Sequence, residues 1–244
     1  MKKFIAYLTF GYPDLNTSLF YIKKFSEIGV DIIEIGFPYS DPLADGKTIQ
    51  EASSSSLKKR EYSINEFLHY IKSLKLKIPV VILTYYNPVF NFGIDRFLKL
   101  SKDSNVWGVL IPDLLFEEGI YFRKKCFKYG IKNIELISPL TPLERIRIIA
   151  DQTKGFLYYV SVTGVTGARK GLPSGIIGKL KRISEVKGDI PLYAGFGFSN
   201  KIQISKIIEY VDGIIIGSAI VEKLNKEKDC LNYVEDIAKF IHKF

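Results

Sequence analysis

One pattern constrains this chain more than any other. A short, mostly apolar run is followed by a longer segment with helical spacing, and the pair recurs eight times across 244 residues. The apolar runs are Phe4–Phe10, Asp31–Ile35, Val80–Thr84, Gly108–Ile111, Ile134–Ile137, Phe156–Val160, Ile190–Tyr193 and Gly213–Ile216. Few of them alternate apolar with polar residues. Continuous runs of this length suit parallel strands buried on both faces.

The intervening segments read as helices. Leu15, Leu19, Ile22, Phe25 and Ile28 fall on one helical face. Asn16, Thr17 and Ser18 offer N-cap side chains, and Gly29 offers a C-terminal stop. Further helices are predicted near Ile64–Leu74, Ile94–Ser101, Glu117–Tyr129, Pro142–Gln152, Ser174–Val186, Lys201–Tyr210 and Cys230–His242. An open doubly wound sheet satisfies this order of elements, but closure is simpler. The expected fold is α/β, a (β/α)8 TIM barrel, with residues 1–244 as a single domain. The serine run Ser53–Ser56 reads as part of a long connection after the second strand.

Composition narrows the function. Apolar residues make up 47% of the chain, enough for a large core. The net charge is +9, yet the lysines are scattered along predicted helices (Lys23, Lys24, Lys72, Lys75, Lys124, Lys125) rather than gathered into a nucleic-acid-binding stripe. Cys126 and Cys230 stand far apart, without metal-ligand or disulfide-scaffold spacing. No signal-peptide pattern and no membrane-length apolar run is present, so a cytoplasmic protein is expected.

In such a barrel the chemistry belongs at the C-terminal strand ends. Glu34 lies in the apolar second strand, where burial raises a carboxylate's pKa and suits it to acid–base work. The plainer reading is an acid satisfied by a neighbouring hydroxyl. Asp31 opens the same strand at the opposite end and reads as structural. The loop Gly36–Gly46 carries Pro38, Asp41, Pro42 and Asp45. Its length suggests a lid or binding loop, although Asp-Pro and Asp-Gly are also ordinary turn dipeptides. Glycine-bearing segments follow the last three strands, at 163–167, 195–199 and 217–219. A short helix starting at Gly217-Ser218 would aim free N–H groups at an anion. Together they point to a phosphorylated small molecule. Nucleophile-elbow, Walker-type and His-Glu-x-x-His motifs are absent, and His69 and His242 fall on predicted helices away from the strand ends.

These residues carry a resemblance. Glu-Ile-Gly-Phe-Pro-Tyr-Ser-Asp-Pro-Leu-Ala-Asp-Gly (34–46) resembles the signature of tryptophan synthase alpha subunits. Segments 7–14, 85–90, 158–167, 195–198 and 217–221 follow in the family's order. The resemblance implies cleavage of indole-3-glycerol phosphate to indole and glyceraldehyde 3-phosphate. It implies Glu34 as general acid–base and Asp45 as the partner of the indole N–H. Tyr158 is implied beside Glu34, and Tyr7 and Leu83 on the indole pocket wall. Gly167, Phe196, Gly197, Gly217 and Ser218 are implied at the phosphate, Thr166 in the loop after strand six, and Asp113 in a supporting role. No metal or organic cofactor is expected in this chain. The implied partner is a pyridoxal-phosphate-dependent beta subunit in an α2β2 assembly, met through the loop holding Pro38 and Asp41. Family members usually begin with an additional helix over the barrel floor. Here the first strand is expected almost at once, at Phe4, without that helix. Other phosphate-binding barrels (indole-glycerol-phosphate synthase, phosphoribosylanthranilate isomerase, a sugar-phosphate epimerase) and a non-catalytic activating subunit are the alternatives.

Overall fold

The computed structural model describes residues 1–160, 175–195, 197–224 and 227–244. Eight strands run in order: β1 (Lys3–Thr9), β2 (Ile32–Gly36), β3 (Val80–Leu83), β4 (Val106–Leu110), β5 (Lys132–Ile137), β6 (Leu157–Val160), β7 (Leu192–Gly195) and β8 (Gly213–Ile216). All are parallel, each pairs with the next, and β8 pairs back onto β1 to close the barrel. The (β/α)8 architecture expected from the alternation is the one observed. Among the described residues no helix precedes β1.

Closure explains why the strand sequences show so little alternation. Ile5, Ile32, Val81, Leu110, Ile134, Phe156, Tyr193 and Ile215 point inward and fill the barrel. Their neighbours, such as Phe4, Ala6, Ile33, Ile35, Val80 and Ile82, point outward and join the helices in a second apolar layer. Both faces of most strands are therefore buried and largely apolar, with Glu34 in β2 and Asn133 and Glu135 in β5 among the exceptions. Between β3 and β4 the register shifts, so that Val80 pairs with Val106 but Val81 pairs with Gly108. The extra residue, Trp107, packs against the inner cluster and stacks on Phe156 at 6.3 Å. Phe156 in turn meets Tyr193 at 4.5 Å, so aromatic rings fill this part of the interior.

The helices are α1 (Leu15–Phe25), α2 (Lys47–Lys59), α3 (Ile64–Ser73), α4 (Tyr86–Phe92), α5 (Ile94–Asp103), α6 (Ile120–Tyr129), α7 (Leu143–Gln152), α8 (Ile176–Val186), α9 (Lys201–Ser205), α10 (Ser218–Val221) and α11 (Glu227–Ile241). Three differ from expectation in instructive ways. The serine run is not a connection. It lies inside α2, whose buried side chains are Ala52, Ser53 and Ser56. The helical spacing is present, but hydroxyls occupy it, so hydrophobic periodicity missed it. The cap of α1 is Asp14, whose carboxylate accepts from Thr17 N at 2.9 Å and from the Thr17 hydroxyl at 2.7 Å. Thr17 and Ser18 thus sit within the helix, and Gly29 serves the turn beyond it at φ +94°. The expected helix Lys201–Tyr210 breaks into α9 and a 3-10 turn, Ile208–Tyr210, because Ile207 leaves helical geometry at φ −126°.

Candidate active site

The C-terminal ends of the strands surround a cleft of about 460 Å³. Tyr7 of β1, Leu83 of β3 and Tyr158 of β6 line it, as do Asp45, Gly197, Gly217 and Ser218 from the connecting segments. Seven residues singled out from sequence thus line one cleft. Leu110, Leu136, Val160 and Ile215 complete its apolar side. Thr166, Gly167 and Phe196 lie outside the described residues.

Glu34 is placed differently. It belongs to the inward face of β2, since Ile32 points inward and side chains alternate. It is one inward position below Gly36 and pairs in register with Tyr7. Only 1% of it is exposed, and neither carboxyl oxygen has a hydrogen-bond partner among the described residues. The neighbouring-hydroxyl reading of this acid is therefore not the one observed. Burial, with the Asp45 charge adding to it, pushes its pKa up to about 8. A buried carboxyl without donors keeps its proton, because ionising it in low dielectric costs more than in water. Glycine makes room for the rings beside it. A Cβ on Gly195 would come within 2.7 Å of the Tyr158 ring, and one on Gly36 would collide with the Tyr7 hydroxyl. The Tyr7 and Tyr158 phenols are both driven well above their ordinary range, first by burial and then by the two acids.

Asp45 is held by a loop that folds on itself. Its N–H donates to Pro42 O at 3.0 Å, so the Asp-Pro segment does form a turn. Its carboxylate accepts from the Tyr85 hydroxyl at 3.0 Å. Burial pushes the Asp45 pKa up to about 6, against the lowering effect of that hydrogen bond. The same Tyr85 hydroxyl accepts from Ala44 N at 3.1 Å. Gln50 Nε2 donates to Asp45 O at 2.9 Å, and Ser53 Oγ bonds both the N–H and the carbonyl of Tyr39. Sequence reasoning gave no site role to Tyr85, Gln50 or Ser53, although segment 85–90 carries part of the resemblance. Only the place of Gln50 and Ser53 on a helix directly after the loop could have signalled them. Asp113 is exposed and caps α4 by accepting from Tyr86 N at 2.9 Å, outside the cleft wall. Asp41 is also exposed and accepts from the Ser40 hydroxyl at 2.6 Å.

The far side of the cleft is suited to an anion. Gly197 has φ +69°, in the region open to glycine. The short helix expected at Gly217-Ser218 is present as α10, with Gly217 as its N-cap. Among the described residues the cleft wall carries no lysine or arginine, so what they offer an anion is backbone N–H groups and the helix end. Among the described residues no group of three or more His, Cys, Asp or Glu could hold a metal ion. No described helix is long and apolar enough to cross a membrane.

Fold and site define the class: a (β/α)8-barrel enzyme with an acid pair and an anion-seeking end at its C-terminal mouth. Comparison with known proteins is specific. The family described as tryptophan synthase alpha chain matches residues 1–243. The tryptophan synthase alpha chain of Thermoanaerobacter pseudethanolicus is 41% identical over 242 residues, covering 98% of this chain and 91% of that one. That of Aquifex aeolicus is 37% identical over 244 residues, covering 98% and 90%. A tryptophan synthase structure from Mycobacterium tuberculosis superposes with a TM-score of 0.91 at 31% identity, covering 98% of this chain and 92% of that chain. A mutant tryptophan synthase alpha-subunit from Pyrococcus furiosus gives 0.87 at 31% identity, covering 100% of both. This chain belongs to the tryptophan synthase alpha chain family. The family's activity is a carbon–carbon lyase reaction that splits indole-3-glycerol phosphate into indole and glyceraldehyde 3-phosphate.

Proposed function

We propose that Glu34 and Asp45 divide the acid–base work of this cleavage. The observation that supports the division is the buried, unpartnered Glu34 carboxyl beside a second acid of lower pKa. Near neutral pH, Glu34 holds its proton and Asp45 is mostly ionised. Two acids in unlike environments can therefore act as donor and acceptor at the same pH.

Glu34 transfers its proton to C3 of the indole ring. The ring becomes an indolenine with positive charge at nitrogen, and the Asp45 carboxylate accepts the N–H and stabilises that charge. The side-chain hydroxyl on the carbon bonded to C3 then gives up its proton. The electron pair of the breaking C–C bond returns to the ring and neutralises the nitrogen. Indole leaves with the new hydrogen on C3, and glyceraldehyde 3-phosphate leaves as the aldehyde. The newly ionised Glu34 is suited to take the hydroxyl proton, since burial and Asp45 keep it basic. Positive charge on the ring also makes it tolerable for both carboxylates to be ionised at once.

In this reading Tyr7, Leu83 and Tyr158 hold the flat ring. Gly197, Gly217 and Ser218 hold the phosphate through N–H groups, and Thr166, Gly167 and Phe196 join them on the strength of the sequence resemblance. The family pairs with a beta subunit. For this chain the partner is taken to carry pyridoxal phosphate, to join as α2β2 in the cytoplasm, and to meet the loop holding Pro38 and Asp41. Leu43, 89% exposed on that loop, is in keeping with a partner there.

The test is indole release from indole-3-glycerol phosphate, with the chain alone and with a beta subunit. Replacing Glu34 with Gln is expected to lower turnover by about 10³-fold or more while leaving the fold intact. Near-normal turnover in that variant overturns the assignment.

A further inference from the structure

We infer that Tyr85 is a positioning residue for Asp45: its hydroxyl, aimed by ring stacking on Tyr39, fixes both the carboxylate and the backbone of the loop that carries it. The inference rests on the role given to Asp45 above and deepens it.

Four observations converge. The Tyr85 hydroxyl donates to Asp45 Oδ2 at 3.0 Å and accepts from Ala44 N at 3.1 Å, which uses its donor and one acceptor site on adjacent residues of one loop. Its ring stacks on Tyr39 with centroids 5.1 Å apart and planes 27° apart. Tyr39 is itself fixed, through both backbone groups to Ser53 Oγ and through its hydroxyl, which accepts from Asn87 Nδ2 at 3.3 Å. Tyr85 is 2% exposed, so no solvent competes for its hydroxyl.

The chemistry needs such a clamp. Asp45 sits in a loop rather than a strand, and a carboxylate that must meet a ring nitrogen cannot wander by an ångström without losing rate. Among the described residues the groups that face it are Glu34 from β2, Tyr7 from β1, Tyr158 from β6 and Tyr85 from the β3–α4 connection, while Asp113 acts on Tyr85. Glu34 and the phenols of Tyr7 and Tyr158 do not favour the ionised form of Asp45. The Tyr85 hydrogen bond does, and it opposes the effect of burial.

The experiment follows Asp45 directly. Carbon-13 NMR of carboxyl-labelled aspartate is titrated in the wild-type chain, with the Asp45 signal assigned by its loss in Asp45→Asn. Tyr85→Phe keeps the ring and its stack but removes the donor. The Asp45 midpoint is expected to rise from about 6 towards 7. The acid limb of kcat/KM should move with it, so that kcat/KM falls by about tenfold near pH 5 and by about twofold at pH 7. Tyr39→Leu leaves the hydroxyl and removes the stack, so it should move the midpoint the same way by less; it also serves if Tyr85→Phe does not fold. A drop in Tm with an unmoved midpoint would make Tyr85 mere packing and overturn the inference. A moved midpoint with unchanged kcat/KM would uphold the clamp and instead sink the catalytic role of Asp45.

Discussion

Asp31 immediately precedes β2 and Glu34 lies in its middle, yet their surroundings are opposite. Asp31, at the N-terminal end, is saturated with donors. It accepts from Lys3 Nζ at 2.9 Å, from Phe4 N at 2.8 Å and pairs with His242 Nε2 at 2.8 Å. Burial pulls its pKa up, but these bonds outweigh it and hold the carboxyl below its ordinary value. Glu34, within β2, has no hydrogen-bond partner among the described residues. The floor of the barrel spends its acid on holding β1, β2 and the end of α11 together, whereas the mouth leaves its acid unsatisfied. An unpaired buried carboxyl weakens the folded state, which is in keeping with the catalytic role proposed for Glu34.

Asp45→Asn tests the mouth most severely after Glu34 itself. Indole formation should fall by about 10²-fold, because a neutral amide stabilises the ring cation poorly. The wild-type kcat/KM profile should rise as Asp45 ionises near pH 6 and fall as Glu34 loses its proton near pH 8. In the variant the alkaline limb should move to lower pH, since the Asp45 charge that raises Glu34 is gone. An unmoved alkaline limb would separate the two acids.

Stability sharpens the contrast. The Glu34 pKa is raised on folding, so its contribution is fully present below the unfolded value and is lost as pH rises through about 8. Glu34→Gln does not titrate. Its stability advantage over wild type should therefore grow by roughly 2 kcal/mol between pH 6 and pH 8, read from denaturant unfolding. A pH-independent difference would mean that Glu34 ionises freely in the folded chain.

Asp31→Asn should do the reverse by a smaller amount. Its pKa is depressed on folding, so its contribution is present above the unfolded value and is lost as pH falls through the folded one. The variant should lose about 1–2 kcal/mol at pH 7, with the deficit shrinking below pH 4, and keep wild-type turnover within twofold. Loss of activity without loss of stability would erase the distinction between the two ends.

The sequence alone determined the barrel and most of its contents. Eight doubly buried strands separated by helical segments leave few arrangements, because each apolar face must find cover. Glu34 and Asp45 were legible because an acid in an apolar run and a long loop after it are anomalies that local sequence can show. The tertiary structure alone decided that Glu34 has no donor among the described residues and Asp31 has three, since those donors come from β1 and the residue just past α11, distant in the chain. It alone showed that Ser53 of α2 clamps the loop and that Tyr85 holds Asp45, because a hydroxyl's use depends on which distant carbonyl or carboxylate closure brings within 3 Å or so. Periodicity reports which face of an element is buried; it carries no information on which polar groups meet once the barrel has closed.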